Sequence, residues 1–399
     1  MGRLALVLPC FAMAACGARS QLRVDPAATH ADAHDVPTST ACTWTPMGPA
    51  VQLSDTSGSW QLEDVALGHE SVLAAWHERT GGDVLVSRIG YGGERLGNPH
   101  AIAPSGFAAV SGRSTQLAIG ATRAAAFTHR ADGWAMTAIG TDGTSTSDVF
   151  RVALPGVVGA SAASSAFTAL VPDANPPRAI ELATIDDTGT IATRVPLISR
   201  TDAFDPVFSR VTRTDGSFLV TWNEPDASAT SVVWMQAFDT AGSPRGPQNS
   251  FTQNAAVFLA TTNDGYLGLW SAPRSMTDPT LALWTQALDA TGALIEPAST
   301  VDLAGATLAP NAPIASASID VDMVTAYVSL ENGSARLVIH SLDERGHAQQ
   351  VPSRLSSYTS IGRIALLATP TSAAVVFEAV PLGQNGATQV FGLGLTCLR

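Results

Sequence analysis

The chain of 399 residues repeats itself about every fifty residues, and that period limits it to a small set of architectures. One half of the repeat is a short apolar segment that ends on a large side chain. It occurs at 72–76, 124–127, 167–170, 218–222, 266–270, 324–327 and 374–377. The end residues are Trp76, Phe127, Leu170, Trp222, Trp270, Tyr327 and Phe377, spaced by 51, 43, 52, 48, 57 and 50 residues. The other half is a four-residue turn that starts on Asp186, Asp239, Asp289 or Asp343 and ends on Gly189, Gly242, Gly292 or Gly346. Degenerate copies end on Gly93 and Gly143. A closing glycine suits a hairpin that needs one residue at positive φ, and a leading aspartate can accept hydrogen bonds from the amides after it. The spaced acidic ladder of a calcium loop is missing, so plain hairpin chemistry explains these turns.

A further β-like segment precedes each large-residue segment, near 65–67, 117–119, 207–208, 257–259 and 364–366. Tight-turn signals, Asp215-Gly216 and Asn263-Asp264-Gly265, separate two of these pairs. Each unit therefore holds four short antiparallel strands. The sequence predicts an all-β fold, a seven-bladed β-propeller of four-stranded antiparallel blades. The seventh unit lacks its turn and outer strand, since only 389–395 remains after Phe377 as a strand. The segment 43–53 resembles the segments after the other turns, such as 94–102, and is expected to supply the missing strand. Pairing N- and C-terminal strands in this way leaves no open sheet edge. It also brings Cys42 and Cys397 to the place of a hairpin turn, which predicts a Cys42–Cys397 disulfide.

Composition narrows the function classes. The chain is 45% hydrophobic and 14% charged, which suits a buried body rather than a disordered one. Its formal charge is −12, with 34 acidic residues against 22 basic ones, and every basic residue is arginine. Without lysine there is no Schiff base and no phosphate-loop lysine. Scattered acidic charge carries no footprint for nucleic acid. No cofactor motif is present, and no cofactor is expected.

The N-terminus reads as an address. Arg3 precedes an apolar stretch at 4–13, too short to cross a bilayer but suited to a signal peptide spanning 1–15. Ala14, Ala15 and Cys16 resemble a bacterial lipobox, although Met13 stands where leucine is usual. That resemblance implies a lipidated, palmitate-bearing Cys16 followed by a flexible tether over 16–41, with the propeller domain at 42–399. Gly17 takes the place of an inner-membrane retention aspartate, so export to the cell envelope and the outer membrane is expected. His30, Asp32, His34 and Asp35 alternate within the tether. They are read as a solvated linker rather than a metal site.

Candidate binding residues come from the segments after the large-residue strands, read as loops on one polar face. They are His77, Glu78 and Arg79, then His129 and Arg130, and later Glu224 and Arg274. A histidine beside a carboxylate can serve as a general base, which keeps a hydrolase or lyase reading open. However, no nucleophile elbow, zinc-protease helix or sialidase box occurs. Trp76, Trp222 and Trp270 occupy equivalent positions, which points to packing rather than sugar stacking.

A lipobox followed by seven short-strand units with Asp-x-x-Gly hairpins resembles the secreted propeller lipoproteins of GC-rich soil and predatory proteobacteria, the myxobacterial type. The resemblance spans 1–20 and 43–399 and implies no activity. The Gly-His and Trp-Asp pairs of WD repeats and the Gly-Gly pairs of kelch blades are missing. The expected function is that of a monomeric, membrane-anchored binding or scaffold module for a protein or polysaccharide partner. The alternative is an envelope hydrolase or lyase with its site in the propeller mouth.

Overall fold

The computed structural model describes residues 42–67, 71–103, 115–119, 124–130, 133–140, 145–154, 156–162, 166–173, 178–200, 205–225, 231–251, 257–275, 277–309, 312–319, 322–384 and 386–398. The expected signal peptide, Cys16 and the tether with its histidines lie outside these residues. Thr40–Arg399 forms one compact unit.

The chain opens with β1 (Thr43–Pro46) and β2 (Val51–Gln52), which leave to join the last sheet. Blade 1 is β3 (Trp60–Leu67), β4 (Val72–Glu78), β5 (Val84–Ile89) and β6 (His100–Ala103). Blade 2 is β7 (Thr115–Ile119), β8 (Ala124–Arg130), β9 (Gly133–Ile139) and β10 (Ser145–Val152). Blade 3 is β11 (Val158–Ala162), β12 (Phe167–Asp173), β13 (Arg178–Ile185) and β14 (Ile191–Arg200). Blade 4 is β15 (Asp205–Thr212), β16 (Phe218–Pro225), β17 (Ser231–Phe238) and β18 (Asn249–Phe251). Blade 5 is β19 (Phe258–Thr261), β20 (Gly265–Pro273), β21 (Leu281–Asp289) and β22 (Ser299–Thr300). Blade 6 holds β23 (Thr307–Leu308) and β24 (Ile314–Ile319), both paired with β25 (Asp322–Glu331), then β26 (Ser334–Asp343) and β27 (Ser353–Tyr358). Blade 7 is β28 (Ser360–Ala368), β29 (Ser372–Val380) and β30 (Gln389–Leu398), completed by β1 and β2. The first long strand of every blade, from β3 round to β28, touches its counterparts in both neighbours, so these seven strands line the central channel.

The seven large-residue markers sit on the second strands and fill the seams. Trp76, Phe127, Leu170, Trp222 and Tyr327 are fully buried, and Trp270 and Phe377 nearly so. Trp222 lies opposite Trp234 and Trp270 opposite Trp284, so two tryptophan pairs repeat at the same register. Burying one such side chain contributes about 2–3 kcal/mol, and seven of them hold neighbouring blades face to face.

The Asp-x-x-Gly turns form as their chemistry dictates. Asp239 Oδ1 accepts the amides of Ala241 (2.9 Å) and Ser243 (2.8 Å), while the Gly242 N–H donates to the Asp239 carbonyl. Gly242 lies at φ +86°, and a Cβ there would come within 2.9 Å of Leu197 on the preceding blade. The glycine thus serves both the turn and the seam.

Ring closure has the expected pattern. Thr43 pairs with Leu398 and Trp44 with Cys397, and further along Val51 pairs with Gly392. The Cys42–Cys397 disulfide is present, with the two Cα atoms 5.2 Å apart, inside the usual range for a bridge. Ser341 Oγ donates to the Cys42 carbonyl (2.6 Å) and Ser353 Oγ to that of Trp44 (3.2 Å), which ties β1 to blade 6. Across the closing seam, Gly93 of blade 1 lies against Gly394 of blade 7. A Cβ on Gly93 would sit 2.6 Å from the Gly394 nitrogen, so only glycine permits backbone to meet backbone there.

Candidate functional site

The channel-lining strands carry more charge than a buried strand usually does, and bulges in β3 and β28 re-aim part of it. In β3, Leu62 pairs with Trp76 and Asp64 with Ala75, which leaves Glu63 as the extra residue. A bulge re-aims its side chain out of the alternating pattern. Glu63 Oε2 accepts the Thr115 amide of blade 2 (3.1 Å), and Asp64 Oδ2 accepts the Leu117 amide (2.7 Å). The same device recurs one blade back. Glu378 Oε1 accepts the Leu62 amide of blade 1 (2.6 Å), and Arg363, in the bulge of β28, donates to the Leu62 carbonyl (2.8 Å). One blade forward, Gln116 Oε1 accepts the Gly159 amide (3.2 Å). Arg210 on β15 donates to the Gly159 carbonyl and to Thr168, both of blade 3. Polar side chains therefore pin blade 7 to blade 1 and each of blades 1, 2 and 3 to the next. Each pin satisfies backbone groups that a bulge or a sheet edge would leave unpaired.

Two cavities open along this wall. One of about 490 Å³ lies between blades 7 and 1 and is lined by Glu63, Asp64, Arg363 and Glu378, with Phe258 and Pro313 closing it from blades 5 and 6. The second, about 330 Å³, is lined by Asp64, Gln116, Gly159, Ser161, Arg210 and Thr212. Burial pushes the Glu378 carboxyl above the ordinary carboxylate range, against the lowering effect of the Leu62 amide, Arg79 and Arg363. Burial pulls the Arg210 guanidinium down to about 10, which leaves it protonated at neutral pH.

The sequence-derived candidates fall into this frame unevenly. His77 is not a loop residue. It lies on β4, 3% exposed, with Nδ1 2.9 Å from Glu63 Oε1. Glu78 ends the same strand, half-buried, and Arg79 comes next and reaches Glu378 Oε2 at 3.1 Å. His129 and Arg130 likewise end β8 rather than occupy a loop, and the His129 ring packs against Trp134 with centroids 5.2 Å apart. Glu224 lies on β16, where Oε1 accepts the indole N–H of Trp222 (2.8 Å). Arg274 comes just after β20, and its amide closes a loop onto the Thr280 carbonyl. The strands run two to four residues past the large marker, because alternation continues to the rim and the seam still has neighbours to pack. The structure brings His77 and Arg79 together with Glu63 and Glu378 at the seam of blades 7 and 1. His129, Glu224 and Arg274 stand on blades 2, 4 and 5.

Sequence reading missed Glu63, Asp64, Gln116, Arg210 and Arg363. Their signal was present, since charged or amide residues interrupt otherwise apolar inner strands. Among the described residues, no group of three His, Cys, Asp or Glu side chains is disposed to hold a metal ion.

No protein-family signature and no curated protein matches the chain. Solved structures do. The propeller domain of the Trilobed protease from Pyrococcus furiosus, described as having an open velcro topology, aligns at TM-score 0.50 and 9% identity, over 84% of this chain and 95% of its own. A neuraminidase-like protein from A/bat/Guatemala/164/2009 aligns at TM-score 0.46 and 12% identity, over 89% and 94%. The acylaminoacyl peptidase of Pyrococcus horikoshii aligns at TM-score 0.46 and 8% identity, over 83% of this chain and 52% of its own length. At such identities the first of these likenesses speaks to architecture alone, and together with the seven sheets it establishes the chain as a seven-bladed β-propeller.

Proposed function

We propose that this propeller is a non-enzymatic binding or scaffold module, held at the cell envelope through a lipid on Cys16, that presents one face of its ring to a protein or polysaccharide partner. The observation that carries this reading is the use made of the channel's charged groups. Glu63, Asp64, Glu378, Arg363 and Arg210 hold backbone amides and carbonyls of adjoining blades, which makes a stiff ring. A stiff ring suits recognition, because little ordering is needed when a partner docks. Glu78, Glu224 and Arg274 lie at or just beyond the ends of equivalent second strands, hence on one face, while the Asp-x-x-Gly turns lie on the other.

The test is a capture comparison. Immobilised protein is challenged with solubilised envelope, beside a Glu78→Ala/Glu224→Ala/Arg274→Ala variant and a Val351→Asp variant, Val351 being exposed on the opposite rim. The expected result is one reproducible partner, lost with the triple variant and kept with Val351→Asp. Equal capture by all three overturns the assignment of the face. Incorporation of labelled palmitate, abolished in Cys16→Ser, tests the anchor.

The hydrolase or lyase reading is favoured by one observation. Glu378, raised by burial, faces the 490 Å³ cavity beside Glu63 and Asp64. Cleavage of envelope polysaccharide that disappears in Glu378→Gln would replace the binding reading with that one.

A further inference from the structure

The second channel cavity has features that blade pinning does not use up. In β11 the register jumps between Val158 and Ser161, so Gly159 and Ala160 leave the ladder with β12. Gly159 then presents its amide to Gln116 of blade 2 (3.2 Å) and its carbonyl to Arg210 of blade 4 (3.2 Å). One residue thus draws two side chains from different blades to the same point of the channel wall. Gly159 lies at φ +58°, and a Cβ there would meet the Arg210 Cβ at 2.6 Å, so the approach needs glycine.

Both side chains keep a donor in reserve. The Gly159 amide fixes which end of the Gln116 carboxamide is oxygen, and the remaining Nε2 has no partner among the described residues although Gln116 is 2% exposed. Arg210 carries five N–H groups. Nε donates to Thr212 Oγ1 (3.1 Å), Nη1 to the Gly159 and Thr168 carbonyls, and Nη2 to Thr168 Oγ1 (3.0 Å). One Nη2 hydrogen is therefore left over. The guanidinium lies over the Phe218 ring, its carbon 4.4 Å from the centroid, and no carboxylate among the described residues forms an ion pair with it. A buried cation without a counter-ion is costly, and an anion supplied from outside relieves that cost.

We propose that this cavity is a binding site for a small carboxylate, held between Gln116 Nε2 and the free Nη2 hydrogen of Arg210. Donors from two blades that line one cavity match the two oxygens of a carboxylate. Asp64 faces the same cavity, and its charge disfavours a dianion, so phosphate is the weaker ligand. This site goes beyond the outer-face reading, because it lies in the channel and stands or falls without it.

The experiment titrates the full chain with acetate and with glucuronate at constant ionic strength, beside phosphate and uncharged glucose. Binding is read by calorimetry and by the side-chain amide signal of Gln116 in protein labelled on glutamine nitrogen. Saturable binding of acetate and glucuronate, tighter than that of phosphate and with a shifted Gln116 signal, is the expected result. Gln116→Glu keeps an oxygen for the Gly159 amide but puts negative charge in place of the free donor. It should fold and lose at least about tenfold in affinity. Arg210→Gln should lose binding as well, and if it fails to fold, Gln116→Glu carries the test alone. The proposal is overturned by no saturable binding, by glucose binding as well as glucuronate, or by undiminished affinity in Gln116→Glu.

Discussion

Replacing Cys42 and Cys397 by serine together removes their disulfide across the ring closure and leaves the β1–β30 ladder in place. The bridge spans a sequence separation of 355 residues. In the chain-entropy model, opening a loop of that length returns about 6 kcal/mol of freedom to the unfolded chain at 25 °C. Unfolding entropy near the midpoint is about 2.1 cal/mol/K per residue. Over the compact unit Thr40–Arg399, about 6 kcal/mol then corresponds to a fall in Tm of about 8 °C. Differential scanning calorimetry on the wild type and the double serine variant, each with and without dithiothreitol, measures this directly. Reductant should lower the wild type to the level of the variant and leave the variant where it was. Far-UV circular dichroism should be the same for both at about 25 °C, since Trp44 stays buried and the backbone pairs Thr43–Leu398 and Trp44–Cys397 need no sulfur. A double variant melting within about 1 °C of the wild type would falsify the clasp, and the ladder with its Ser341 and Ser353 ties would then close the ring unaided.

Three further outcomes are expected. Trp76→Ala empties a fully buried seam position and should cost about 4 kcal/mol in urea unfolding while leaving partner capture per folded molecule unchanged; intact stability with lost capture would refute the packing role. Gly81→Ala and Gly93→Ala both force a side chain to positive φ, but only at Gly93 does a Cβ meet backbone, at 2.6 Å, whereas nothing lies within 4 Å of it at Gly81. Gly81→Ala should cost about 1 kcal/mol and Gly93→Ala about 3 kcal/mol, and equal losses would remove the close-approach argument. The Ser217 hydroxyl, opposed by burial and helped by the Ser217 amide, Arg213 and Arg245, holds Asp215 below its ordinary value. A lowered carboxylate stabilises the fold above its unfolded pKa of about 3.9, and that contribution fades as pH falls through the lowered value. Asp215→Asn should therefore flatten the Tm profile below about pH 4, and an unaltered acid limb would show that the Ser217 bond does not stabilise the carboxylate.

The repeat was legible because its signals are local. A large residue at the end of an apolar run and an Asp-x-x-Gly turn each report on a handful of neighbouring residues, and the structure places Trp222, Tyr327, Gly242 and Gly292 as their repeat positions imply. The loop assignment of His77 and His129 was mistaken because strand ends are set by what packs across the seam. That information lies on another strand or another blade, as with Glu63 of the neighbouring β3 beside His77 and the blade 7 carboxylate that meets Arg79. Glu63, Gln116 and Arg210 were overlooked for the same reason. A polar residue in an apolar strand reads as an interruption until the bulge that re-aims it, as for Glu63, or the next blade's backbone that it bonds, as for Gln116 and Arg210, is visible.

From sequence alone came the period, the number of blades, the borrowing of an outer strand from the N-terminus and the pairing of Cys42 with Cys397. These depend on spacing along the chain and on the need to leave no strand edge open. Only the tertiary structure decided which charged groups face one another across the channel. Residues such as Gln116, Gly159 and Arg210 are separated by 43 and 51 positions and meet only when successive blades close a ring. The geometry that gives them a shared cavity belongs to the seams between repeats, which no single repeat encodes.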